Sequence, residues 1–312
     1  MELSLINNDI ENSFKEELFN RWISFLDVSS KTTETYNKAI KQFICYLHNN
    51  NINQPTRQTV LNYKEYLKQS ELKPTTIQCY ITAVKLFFHW TKQENIYPDV
   101  ADKIKGAKLT TEHKKDYLTT TQVSNLLNSI DTNTIKGIRD FAILSLMITT
   151  GLRTIEIIRA NIEDFRTLGD FTVLYIQGKG REDKSEYVKI STEVETFIRK
   201  YLTTRKNKNS NEPLFTSIAH RNTEQRLTTR SISRIVKEHL ISCGLNSDRI
   251  SAHSLRHTTA TLNLMNGGTL EETRQLLRHT SINTTLIYSH NLDRIKNNSE
   301  LRVAKAIFNN QI

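Results

Sequence analysis

The chain is poor in cysteine and has no long apolar run. Its three cysteines, Cys45, Cys79 and Cys243, are widely separated and form no C-x-x-C pair. That spacing excludes a disulfide framework and a zinc ribbon. Cys45 and Cys79 sit in apolar helical patterns and are expected to be buried thiols. The longest apolar segment, Phe141–Ile148, falls far short of a membrane span. Met1–Asp9 lacks the basic-then-apolar order of a signal peptide, so a reducing cytoplasm is the expected compartment. There is no internal repeat and no long low-complexity segment. The GxxxxGK(S/T) phosphate loop and the HExxH zinc pair are both missing, and neither a cofactor nor a metal is expected. The aromatic sheet pattern of an RNA-binding RNP domain is missing too.

What is present suits two packed domains. The chain has 312 residues, 37% hydrophobic and 24% charged, too many for one ordinary core and too apolar for wholesale disorder. Its formal net charge of +10 favours a polyanionic partner through phosphate contacts and counterion release. Residues 10–104 read as a four-helix domain. Apolar residues recur at helical spacing in Phe14, Leu18, Trp22, Phe25 and Leu26, and again in Tyr36, Ile40, Phe43, Ile44 and Leu47. A shorter helix spans about 56–68. A fourth, opened by Pro74, carries Ile77, Ile81, Val84, Phe87, Phe88 and Trp90.

A lysine-rich stretch follows, and residues 105–116 are expected to link the domains. The second domain, 117–312, opens with a helix capped at Thr119–Thr121 and a longer one over Ile135–Thr150, stopped by Gly151. Strand-like runs on either side of a glycine- and charge-rich turn, within Phe171–Ile190, predict a β-hairpin. Helices are expected at Thr192–Arg205, Thr229–Ser242, His253–Met265, Leu270–Leu277, Asn283–Tyr288 and near Ser299–Phe308. The fold class is thus mainly α with a small β-hairpin or sheet.

Four local patterns in the second domain carry chemistry. They are Gly151-Leu152-Arg153 at a helix end, Gly178-Lys179-Gly180 at the hairpin turn, His253-Ser254-Leu255-Arg256-His257 opening a helix, and Leu277-Arg278-His279, with Tyr288 nine residues beyond. Breaking a phosphodiester without a metal needs a nucleophile, cations on the non-bridging oxygens, an acid for the leaving oxygen and further hydrogen-bond donors. Arg153 and Arg256 suit the cationic role, since guanidinium forks grip phosphate bidentately. Lys179 suits the acid, His253 and His279 can donate or move protons, and Tyr288 can attack. Neighbouring cations are expected to lower the phenol's pKa.

Taken singly, each residue has a plainer explanation. Tyr288 is one of eleven tyrosines, and a lysine in a turn is usually solvated. Arg153 could serve a helix C-terminus. His253 and His257 stand four apart, as metal ligands can. The joint order Arg, Lys, His-x-x-Arg, His, Tyr is the signal.

That order and spacing resemble the tyrosine recombinase, or phage integrase, family. The run Ile250–His290 is similar to its signature almost end to end, QLLRHTSINTTLIYSH above all. KTTETYNKAIKQFICYL and LKPTTIQCYITAVKLFFHWTKQENI resemble its helical, SAM-like core-binding domain. The resemblance implies Arg153, Lys179, His253, Arg256 and His279 as the activating pocket and Tyr288 as the nucleophile of a site-specific recombinase. It implies cleavage and rejoining of duplex DNA through a covalent 3′-phosphotyrosine. In that family glycine often precedes the second histidine; here Arg278 does, and is expected to add a phosphate contact or alter a turn. Glu156 stands where an acidic residue is common and reads most simply as a local helix-stabilising charge.

The resemblance also implies double-stranded recombination sites gripped between the two domains. Phosphate-holding candidates are Lys31, Lys38, Lys41, Lys73 and Lys85 in the first domain. In the second, Arg226, Arg230 and Arg234 have a spacing that predicts one helix face. A solvated surface explains any of them equally well. The stripe Leu301, Ala304, Ile307 and Phe308 is expected to dock into a neighbouring subunit, linking protomers in a synaptic tetramer. An accessory DNA-bending or directionality factor is a possible further partner. Little precedes the first helix, which favours a Xer-like resolvase or a compact mobile-element integrase. The rivals are a type IB topoisomerase, which shares the tyrosine chemistry, and a DNA-binding regulator that has lost catalysis.

Overall fold

The structure, a computed structural model, describes residues 9–108, 116–178, 181, 183–219 and 223–308. Its contacts divide the chain into two units, Met1–Glu112 and His113–Ile312. No helix among the described residues is long and apolar enough to cross a membrane.

Among the described residues the first unit holds four helices, α1 (Asp9–Phe25), α2 (Ser30–Asn49), α3 (Arg57–Gln69) and α4 (Pro74–Gln93). Ser29 accepts the Thr32 N–H to start α2, Thr56 and Thr59 cap each other at α3, and Pro74 occupies the first turn of α4. The helices bury Trp22, Ile40, Phe43, Tyr63, Phe88 and Trp90 in one cluster. Phe43 meets Tyr63 edge-on at 4.8 Å and Phe88 at 5.9 Å. Cys45 is exposed and Cys79 half-buried, against the expectation of buried thiols. The buried stripe of α2 is Ala39, Ile40, Phe43 and Leu47, and a step of two residues from Phe43 turns Cys45 to the opposite side. The expected linker begins against this unit: Lys64 Nζ donates to Lys105 O at 2.8 Å, and Ala107 packs on the core. Residues 109–115 lie outside the described residues.

The second unit is built around α6 (Ile135–Thr150), preceded by α5 (Thr120–Asn128). Next come the short α7 (Thr154–Arg159), three strands β1 (Phe165–Leu168), β2 (Phe171–Ile176) and β3 (Glu186–Ile190), and α8 (Thr192–Thr203). Five helices complete it: α9 (Thr229–Ser242), α10 (Ala252–Met265), α11 (Leu270–Leu277), α12 (Asn283–Lys296) and α13 (Ser299–Phe308). Helix α6 packs on α8 and α10, with β3 alongside. The expected hairpin is part of a three-stranded antiparallel sheet in the order β1-β2-β3. Leu168 pairs with Phe171 across a turn at Gly169, where φ is 58°. The chain is therefore mainly α with a small antiparallel sheet, as its hydrophobic periodicity predicts. Helix α13 buries no residue, and Leu301, Ile307 and Phe308 remain exposed.

Candidate active site

Where α6 ends, Gly151 takes φ 62° and closes its N–H on Met147 O at 2.9 Å. A Cβ at this position would lie 2.6 Å from Leu277 Cδ2, so only glycine fits both the backbone and the space. Two residues on, Arg153 forms the N-terminal cap of α7. Its backbone N–H donates to Glu156 Oε2 and its Nη1 to Glu156 Oε1, each at 2.8 Å. The Glu156 carboxylate is buried, whereas the Arg153 side chain keeps 31% of its surface open.

Arg256 reaches the same turn from α10. Its guanidinium donates to Gly151 O and Leu277 O, tying the ends of α6 and α11 together. Burial pushes its pKa down to about 9, helped by the charges of Arg153 and Arg278, so it remains a cation at neutral pH. His253 lies one helical turn before Arg256, on an exposed part of α10. Its ring meets His257 edge-on at 4.6 Å, and His257 meets Tyr288 at 5.2 Å.

His279 follows α11 and is buried, its Nδ1 and Thr285 Oγ1 sharing a 2.8 Å hydrogen bond. Burial holds its pKa down to about 4, and Arg256, Arg153, Arg278 and His253 push the same way. The imidazole is thus neutral at physiological pH. Tyr288 sits on α12, 5% exposed, with its ring stacked 6.4 Å from His279 at an interplanar angle of 10°. Its phenol departs from expectation. Arg256 and Arg153 do pull its pKa down, but burial outweighs them and the net direction is up.

The structure therefore brings Arg153, Arg256, His279 and Tyr288 together, with His253 one ring away. Lys179 lies outside the described residues. A cleft of about 500 Å³ is lined by Arg153, His253 and the largely buried Arg256, with Ser233, Lys237 and Asp248 alongside; Tyr288 and His279 are not in its lining. Among the described residues no group of three or more metal-binding side chains occurs. The His253–His257 pair makes a ring contact, and its second member, which sequence reasoning considered only as a metal ligand, touches the Tyr288 ring.

Arg278 also departs from expectation. Its side chain is buried and turned inward on Glu156, with Nη2 to Oε2 at 3.1 Å, so it makes no phosphate contact from this position. The turn is the part of the expectation that fits, since Arg278 adopts φ 55°, where glycine is at ease. Glu156, read as a local helix-stabilising charge, does cap α7 through the Arg153 N–H, and it also holds the guanidiniums of Arg153 and Arg278.

Of the phosphate-holding candidates, Lys31, Lys38, Lys41 and Lys73 are exposed and Lys85 is half-buried. Lys31 pairs with Glu34, and Lys41 lies 5.8 Å over the Phe19 ring. Arg230 and Arg234 are exposed on α9. Arg226 is a correction: it precedes that helix, and its guanidinium is occupied by Ile158 O, Ala160 O and Asn161 Oδ1. The shared face thus reduces to Arg230 and Arg234.

Known proteins resemble this chain in sequence and in fold. The phage integrase family model matches residues 116–294. The chain belongs to the phage integrase family. The model of the phage integrase N-terminal SAM-like domain matches residues 17–95 of this integrase-family chain. The tyrosine recombinase XerD of Listeria monocytogenes serovar 1/2a is 28% identical over 289 residues, 89% of this chain and 94% of that protein. The tyrosine recombinase XerC of Chlamydia caviae is 32% identical over 236 residues, 75% and 73%. Two solved structures share the fold. A XerH site-specific recombinase bound to palindromic difH substrate has a TM-score of 0.67 at 22% identity, covering 88% of this chain and 79% of its own. A Tn1549 transposon integrase in complex with circular intermediate DNA has a TM-score of 0.65 at 17% identity, covering 87% and 94%. The integrase-family chain is a tyrosine recombinase, an enzyme that breaks and rejoins DNA strands.

Proposed function

We propose that this recombinase cleaves specific duplex DNA sites with Tyr288 and holds the broken strand as a 3′-phosphotyrosine. The observation that carries the assignment is the setting of Tyr288. Its ring stands between His257 and His279, with the charges of Arg256 and Arg153 acting on its hydroxyl. In the cleavage step Tyr288 Oη gives up its proton to a pocket imidazole as it bonds to the scissile phosphorus, and the bond to the 5′ oxygen breaks. Lys179 supplies the proton for the departing 5′ hydroxyl. Arg153 and Arg256, both lining the cleft, hold the non-bridging oxygens as charge concentrates on them. His279, neutral, and His253, at the cleft edge, complete the set of donors. The ester linkage keeps the energy of the broken bond, so a 5′ hydroxyl from a second duplex reverses the step and completes exchange.

Tyr288 lies outside the cleft lining, so in this reading α12 shifts when DNA enters, and burial raises the phenol's pKa above its ordinary value until then. Residues 10–104 and 117–312 grip the site as separate domains, using Lys31, Lys38, Lys41, Lys73, Lys85, Arg230 and Arg234 on phosphates. The exposed apolar residues of α13 support docking in trans and a tetramer on synapsed DNA, in the cytoplasm, with an accessory bending or directionality factor as a further partner. The test is Tyr288→Phe on a nicked suicide substrate. It should bind as the wild type does and form no covalent complex; an adduct in that variant would overturn the assignment.

A further inference from the structure

The residue before the second histidine carries two local penalties. Arg278 holds φ 55° and ψ 46° as the cap of α11, a region that side chains avoid and glycine occupies freely. Its Nε is buried with no acceptor among the described residues. Strain held in place by its surroundings tends to mark functional positions. The surroundings here are specific. Arg278 Nη2 donates to Glu156 Oε2 at 3.1 Å and Nη1 to Leu276 O at 2.7 Å, with Thr150 O and Gly151 O at 3.5 and 3.4 Å. Thr150 and Gly151 form the turn that projects Arg153, and Glu156 is the carboxylate that Arg153 binds through both its backbone and its side chain. One buried acid therefore stands between an arginine that faces the cleft and an arginine that does not.

We propose that Arg278 is a positioning residue for Arg153, acting through Glu156. Its guanidinium draws one side of the Glu156 carboxylate inward and braces the Thr150–Gly151 carbonyls. That leaves the other carboxylate oxygen to fix the direction in which the Arg153 fork points. The Glu156 carboxylate bonds both guanidiniums at once, and Arg153, the more open of the two, is the one free to turn its charge toward a phosphate. An aligned fork at a reacting phosphate matters because misplacement by about 1 Å costs on the order of a hundredfold in rate. The inference rests on the recombinase reading above.

The test uses the full-length protein and a nicked suicide DNA substrate. Arg278→Gly suits the backbone, so it should fold and bind DNA as the wild type does while forming adduct about ten- to a hundredfold more slowly. Guanidinium ion at millimolar concentration should recover part of the lost rate in Arg278→Gly. Glu156→Gln should also slow adduct formation. The double variant Arg278→Gly/Glu156→Gln should be no slower than the slower single one, because both changes act on one linkage. Arg278→Lys, which keeps charge without the fork, should fall between wild type and Arg278→Gly. A wild-type rate for Arg278→Gly would overturn the proposal, as would single effects that multiply in the double variant or a loss that guanidinium leaves untouched. Adduct formation by the wild type and its loss in Tyr288→Phe report on the tyrosine assignment, while rates relative to wild type report on Arg278.

Discussion

Keeping His279 neutral has a measurable cost in acid. Burial, with the nearby arginines, holds its pKa near 4 in the folded chain against 6.5 in the open one. Below the unfolded value the unfolded chain binds the extra proton and the folded chain does not. Stability contributed by the neutral ring is therefore complete above about pH 7 and drains away as pH falls from about 6.5 toward 4. The whole lowering is worth about 3 kcal/mol, of which about 2 kcal/mol is already lost at pH 5. In a domain of this size each kcal/mol moves the melting temperature by about 2–4 °C. The assay is calorimetry of wild type and His279→Gln at pH 7.5 and pH 5, since glutamine keeps a partner for Thr285 and cannot titrate. Between the two pH values the wild type should lose about 4–8 °C more than the variant. Parallel losses in the two proteins would refute a buried neutral imidazole.

The other expectations follow from the same geometry. Arg153→Ala and Arg256→Ala should each slow adduct formation by about a hundred- to a thousandfold. Both should also lower the melting temperature, Arg256→Ala because it strips the buried Gly151 and Leu277 carbonyls of a donor and Arg153→Ala because it takes a guanidinium from the buried Glu156 carboxylate. Cleavage should proceed undiminished in EDTA, the charge on the phosphate being met by arginines; a strict need for added divalent cation would count against that chemistry. Truncation before Ser299 should impair synapsis, seen by native gel shift of paired duplexes, more than binding of one duplex. Equal loss of both would count against docking of α13 in trans.

Much of this was legible in the residues. The helices of the first unit announce themselves through apolar spacing, and α9, α11 and α13 start and stop where their caps and apolar stripes predict. Gly151 marks the end of α6 because a left-handed cap leaves a sequence trace. Strand β1 and helix α7 were not legible: four and six residues are too short for a period to emerge. Cys45 was misjudged because apolar neighbours on a helix do not say which side a residue faces. Tyr288 shows the same limit in electrostatic form. Its cationic neighbours follow from motif order, but the depth of its burial, which reverses the sign of the shift, comes only from the packing of α12. The Glu156–Arg278 pair joins residues 122 apart in sequence, a contact that no local pattern encodes.

The most direct measurement is to trap the protein on a suicide duplex carrying its recombination site, digest the complex and locate the modified residue by peptide mass spectrometry. The account predicts a nucleotide joined through its 3′ phosphate to Tyr288 and to no other side chain. Attachment at a different residue, or a phosphate left on the 5′ end of the break, would contradict it.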